Sequence, residues 1–213
     1  MGGLLPLYTR LKEVELRYLV GFASGLMISI AFFDMLPEIK PENVNALAIG
    51  FFFTYLLEKF VMIHSCGERE CESHTIGWTT LIGIAAESLV DGAAIATGYA
   101  VAPALGLTIA LAVFVHEMPR GFSTTVIMRQ SNYGNPLIYL ALFIDAGFTP
   151  LGVILAHFFP PGLFTNLLAF SAGTFIYVGA SDLLPEAHRR FNIQVVICVL
   201  AGALLVPLLE RLF

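Results

Sequence analysis

Seven apolar runs divide this chain, at 17–37, 44–64, 76–101, 104–128, 137–159, 163–184 and 193–212. A helix needs about 20 residues to cross roughly 30 Å of hydrocarbon, so runs of this length can span a bilayer. Within lipid a backbone has to satisfy its own hydrogen bonds, which leaves helices and closed barrels. The alternating pattern of a barrel strand is absent. With 57% hydrophobic and 13% charged residues, neither an ordinary soluble domain nor a disordered chain is expected. The expectation is an all-α, polytopic membrane helical bundle, a single membrane domain over residues 1–213. The connections are short and marked by Pro or Gly, as at Pro103, Asn135-Pro136 and Pro160-Pro161-Gly162. Residues 1–17 mix apolar, basic and acidic side chains and do not read as a cleavable signal peptide. The three cysteines do not suggest a disulfide framework.

Orientation follows from the basic residues. Arg10, Lys12, Arg17, Lys59, Arg69, Arg129, Arg189 and Arg190 fall on one side, against Lys40 and Arg211 on the other. Eight against two places the segment before the first span in the cytoplasm and the C-terminus outside.

The chain also repeats itself. Residues 22–38 (FASGLMISIAFFDMLPE) align without a gap with 170–186 (FSAGTFIYVGASDLLPE). Phe22, Gly25, Ile28, Asp34, Leu36, Pro37 and Glu38 recur as Phe170, Gly173, Ile176, Asp182, Leu184, Pro185 and Glu186, every pair 148 apart. By the topology above the two copies cross in opposite directions. Inverted repeats of this kind build many secondary transporters, with substrate held near the midplane. The expected organisation is repeat one at 17–64, site helices at 76–128 and repeat two at 137–212. The second copy has a helix before it, so an intact first copy calls for one upstream of residue 17. Gly2-Gly3-Leu4-Leu5-Pro6-Leu7 reads as the tail of such a helix, which implies a longer reading frame or a lost helix.

Charge inside the runs locates the chemistry. Glu87 and Asp91 stand four apart in the third run, and His116 and Arg120 stand four apart in the fourth, with Glu117 beside them. That spacing puts each pair on one helical face. Each such charge costs roughly 2.5–3.5 kcal/mol on insertion scales and needs a partner, a water-filled cavity or a ligand. Pro119 frees a backbone carbonyl beside the second block. Asp145, shortly before Pro150, adds a carboxylate from the fifth run. Carboxylates with one imidazole and no thiolate suit a divalent cation such as Zn²⁺, Fe²⁺, Mn²⁺ or Cd²⁺. The bland alternative is a buried ion network around Arg120, although one Arg cannot neutralise four carboxylates.

These blocks resemble the ZIP (ZRT/IRT-like) family of divalent-metal transporters, in which one helix carries His-Asn-x-Pro-Glu-Gly and the next His-Glu-x-Pro-Glu-Gly. The fourth run matches at His116, Glu117, Pro119 and Gly121. The third matches loosely, with Glu87 for His, Ser88 for Asn, Val90 for Pro and Asp91 for Glu. The fifth is similar to the family's Ser-Gly-x-x-Glu-Pro-x-Gly at Asp145, Pro150 and Gly152, with Thr149 for Glu. The resemblance covers the whole chain and implies a 3+2+3 arrangement of eight helices with the first missing. It implies a primary metal site of Glu87, Asp91, His116 and Glu117, with Met27 as a soft ligand, and a homodimer. The family's second site maps to Ser88, Glu117, position 120 and Thr149. Arg120 stands there in place of a bridging glutamate, so one transported metal is expected, with Arg120 as counter-charge to Glu117 or Asp145.

His64, Cys66, Cys71 and His74 lie where ZIP proteins often carry a His-rich cytoplasmic loop. They form either a cytosolic metal-receiving cluster or a short polar loop. Asp34 and Glu38 on the outer side, and Asp182, Glu186 and His188 on the inner, are either cation-attracting mouths or helix ends in water.

The expected function is a secondary carrier moving a divalent transition metal, zinc first, across the plasma membrane towards the cytoplasm. The metal is cargo rather than a cofactor, and the lipid bilayer is the only other partner expected besides a second copy; no nucleic acid is expected. No ATP motif is present, so a gradient or cytosolic trapping would drive it. An intramembrane metallohydrolase is the enzyme rival, but the zincin pattern needs His where Arg120 stands. A non-transporting metal sensor or structural relative is the third reading.

Overall fold

A computed structural model of the chain describes residues 13–66, 78–130, 132–189 and 192–210. Among these residues there is no strand. Helix α1 is Glu13–Ser29, α2 Val44–Cys66, α3 Trp78–Val101, α4 Pro103–Gln130, α5 Asn135–Ala156, α6 Phe164–Tyr177, α7 Leu184–Ala187 and α8 Ile193–Glu210. Leu16–Glu38, Leu81–Val101, Asn135–Ala156 and Pro161–Ala187 are long and apolar enough to cross a membrane.

The surface carries what a soluble fold would hide. Phe143 is 74% exposed and Leu107 63%, and α2 and α8 turn Ile49, Phe52, Leu56, Ile197 and Leu204 outward. Apolar faces this extensive have no place in water. Lipid is the solvent that fits them. Within lies a dry core built around α1, with Leu26, Met27 and Ile30 fully buried against Phe175 of α6 and Ile109 of α4.

The first and sixth runs are not regular α-helices as the sequence predicts. Ile30–Met35 and Val178–Leu183 are π-helical. Each widened turn is followed at once by Leu-Pro-Glu, and the Leu36 and Leu184 amides reach back to Ala31 and Gly179. Proline lacks an N–H and crowds the carbonyl four residues before it. A π turn accommodates that without breaking the helix. The two π segments lie 148 residues apart, the offset of the sequence repeat.

Helix pairing carries the same relation. Helix α1 packs along α8 and α2 along α6. A Cβ on Gly25 would lie 1.9 Å from the Val199 carbonyl oxygen, and one on Gly202 2.1 Å from that of Phe22. In the other pair, a Cβ on Gly173 would lie 2.0 Å from the Leu47 oxygen, and one on Gly50 1.9 Å from that of Phe170. Small residues let backbones approach this closely in lipid, where no hydrophobic force drives helices together. Each repeat therefore lends the helix that follows its copied segment to the copied segment of the other. At one end of the bundle Arg17 donates to the Ala187 carbonyl, 2.9 Å from Nη2. At the other, Asn43 donates to Asn166 at 2.5 Å. The start of the first span and the end of the sixth thus share a side, as alternating crossings require.

Helix α5 ends at Ala156, earlier than the predicted 159, because the chain turns through His157–Phe159 into Pro160. Helix α2 runs on to Cys66, past its predicted end at 64.

Candidate metal site

The site is assembled from α3, α4 and α5. Helices α3 and α4 run antiparallel across a one-residue link at Ala102, which sets Asp91 opposite His116 and Glu87 opposite Arg120. Helix α5 runs beside α3 in the same sense. A Cβ on Gly92 would lie 2.0 Å from the Thr149 carbonyl oxygen, and one on Gly152 2.2 Å from that of Leu89. Two hydrogens at these places let α5 bring Asp145 to the level of Ser88.

His116 is buried, with its Nδ1 3.1 Å from the Ala112 carbonyl oxygen. A carbonyl only accepts, so that contact places a proton on Nδ1; Nε2 is then an acceptor in the neutral ring and a second donor in the imidazolium. Nε2 points at Asp91 Oδ2, 3.4 Å away. Asp91 Oδ2 is buried and makes no hydrogen bond. With the imidazole neutral these are two acceptors facing each other in a low-dielectric site, an arrangement that a proton or a metal cation between them relieves. Glu117 completes a group with them whose ligand atoms all fall within 4.8 Å of one another. Two carboxylates and an imidazole at that spacing have the chemistry of a divalent-cation site.

Arg120 occupies the other half. Nη1 lies 3.3 Å from Glu87 Oε2 and 3.7 Å from Asp91 Oδ2. Nη2 donates to Ser88 Oγ at 2.7 Å, to Asp145 Oδ1 at 2.8 Å, and to Glu117 Oε1. Ser88 Oγ in turn donates to Asp145 Oδ1 at 3.4 Å. Four carboxylates from three helices therefore surround one guanidinium, and the ion network shares Asp91 and Glu117 with the group that could hold a metal.

The structure thus gathers Glu87, Ser88, Asp91, His116, Glu117 and Asp145. Met27 is not among them. It is fully buried in the α1 core, beside Gly179, and does not line the cavity that borders the charged residues. Thr149 presents its backbone carbonyl to Gly92. That cavity is also lined by Phe53, Thr54 and Leu57 of α2 and by Thr174 and Val178 on the α6 side. These neutral residues carry no signal in sequence. Just beyond them the Tyr177 hydroxyl donates to Glu58 Oε2. Of the outer and inner acidic positions, Glu186 pairs with Arg189 at 2.8 Å. Of the predicted loop cluster, Cys71 and His74 lie outside the described residues.

Comparison with known proteins places the chain in a family. The family model for the ZIP zinc transporter matches residues 63–210, more than half of the chain. The chain belongs to the ZIP family. Protein zntA of Dictyostelium discoideum is 34% identical over 118 residues, covering 51% of this chain and 23% of that protein. The metal cation symporter ZIP14 of Xenopus tropicalis is 27% identical over 128 residues, covering 58% of this chain and 27% of its own. The zinc transporter ZIP13 of Pongo abelii is 22% identical over 198 residues, covering 81% of this chain and 58% of its own. The chain spans about a quarter of the length of the first two relatives.

Proposed function

We propose that this ZIP-family chain is a secondary carrier for a divalent transition-metal cation, with zinc its first cargo. Cargo is held at Asp91, His116 and Glu117, and passes the membrane by alternating access towards the cytoplasm. The observation that carries this reading is the buried Asp91 Oδ2, without a hydrogen bond and 3.4 Å from His116 Nε2. A cation between them satisfies both, and Glu117 stands within reach as a third ligand. The zinc and metal-cation transport named for its relatives supports the choice of cargo class. Residence in the plasma membrane, a cytoplasmic segment before α1 and assembly as a homodimer belong to the same proposal.

Uptake into proteoliposomes loaded with a metal-sensitive dye tests it. Wild-type protein is expected to admit Zn²⁺, and His116→Ala to admit no more than empty vesicles. Equal uptake by both would remove His116 from the cargo site. One observation favours a second reading, a non-transporting metal sensor: Arg120 already pairs with the carboxylates that cargo would use. Zn²⁺ binding by purified protein without flux in vesicles would select that reading.

A further inference from the structure

Among the described residues of the site, Arg120 alone is permanently positive. Its partners fall into two groups. Glu87, Ser88 and Asp145 touch the guanidinium and stand outside the converging metal-ligating group. Asp91 and Glu117 touch it too, yet are two of that group's three members. A guanidinium and a divalent ion a few ångströms apart repel, so the same carboxylates cannot serve both at full strength.

We propose that Arg120 is a tethered competitor for the cargo. Without metal it holds Asp91 and Glu117. When cargo binds, it draws back onto Asp145, Ser88 and Glu87, and its charge there excludes a second ion. The inference rests on the reading of Asp91, His116 and Glu117 as the cargo site.

The balance of charge favours a single ion. Glu87, Asp91, Glu117 and Asp145, one guanidinium and one divalent cation together leave one net negative charge. A glutamate at position 120 would need two divalent cations to reach the same balance. Buried charge is tolerated only when nearly compensated, so the side chain at 120 sets how many ions the site holds. Competition by a tethered cation also means that the empty carrier keeps its carboxylates paired.

The test is equilibrium dialysis of the purified full-length protein in detergent micelles against Zn²⁺. Ions lost in His116→Ala are counted as site ions, which separates them from metal held elsewhere on the chain. We expect one site ion in the wild type and in Arg120→Lys, and two in Arg120→Glu. Arg120→Gln should bind its first ion about tenfold more tightly, the scale on which residues around a metal site act. Asp145→Asn should act in the opposite sense, because it removes the acceptor that draws the guanidinium away. It also serves where Arg120→Gln fails to fold. Two site ions in the wild type, or wild-type affinity in the folded Arg120→Gln or Asp145→Asn protein, would overturn the proposal. Metal binding unchanged in both His116→Ala and Asp91→Asn would instead overturn the cargo-site reading beneath it.

Discussion

Two aspartates of this site look alike in sequence and do different work. Asp91 Oδ2 faces His116 Nε2 at 3.4 Å and makes no hydrogen bond. Asp145 receives both Arg120 and Ser88. We therefore expect Asp91→Asn to lower cargo affinity by about 100-fold or more, the upper end of what removing groups at a metal site costs, while leaving the thermal midpoint in micelles unchanged or higher. Asp145→Asn should instead destabilise the fold by about 2 kcal/mol, because it strips a charged partner from a buried guanidinium. Thermal melts and metal titrations of both variants check the contrast; matching profiles would defeat it. The five acidic and imidazole residues were legible in sequence because charge is costly at membrane depth. The expected pairing of Arg120 with Glu117 or Asp145 is met by both, but which carboxylate meets His116 was not legible. Spacing along a helix fixes one face, whereas the meeting of Asp91 with His116 depends on the register between two antiparallel helices.

At the scale of elements, backbone contact between α3 and α5 governs the site. A methyl on Gly92 would meet backbone atoms that have nowhere to move, so Gly92→Ala has to push the helices apart. Overpacking of this kind costs about 1–3 kcal/mol. It also withdraws Asp145 from Arg120, so both melting point and Zn²⁺ uptake should fall. A Cβ on Gly147, in the same α5, would meet nothing within 4 Å. Gly147→Ala should leave uptake unaltered and raise helix stability by up to about 1 kcal/mol. Equal losses from the two substitutions would show that α3–α5 separation is irrelevant. The sequence repeat announced the paired helices, and the Leu-Pro-Glu endings marked where regular helix stops. The π turns that absorb those prolines were not legible, because proline signals that a helix must adjust without saying how.

For the molecule as a whole, the decisive question is which face reaches the site. The cavity beside Glu87, Asp91 and His116 is walled by Phe53, Thr54 and Leu57 of α2, and by Thr174 and Val178. Beyond it lie Glu58 and Tyr177, towards the end of the bundle where Arg17 meets Ala187. In the proposed orientation that end faces the cytoplasm. A water-filled path from the cytoplasm to the site is then expected to pass Leu57, which lines the cavity. In a background with Cys66, Cys71 and Cys198 changed to Ser, Leu57→Cys should react with a membrane-impermeant thiol reagent applied from the cytoplasmic face. Zn²⁺ should slow that reaction, and modification should block uptake. Phe143→Cys, on a residue 74% exposed on the outer surface of α5, should stay unreactive, because a thiol facing hydrocarbon is shielded from the reagent and does not ionise to the reactive thiolate. Reaction of Leu57→Cys only from the opposite face would reverse the assigned orientation. Reaction from neither face would mean that the cavity is dry, and would leave the charged site without the water that a passing cation needs.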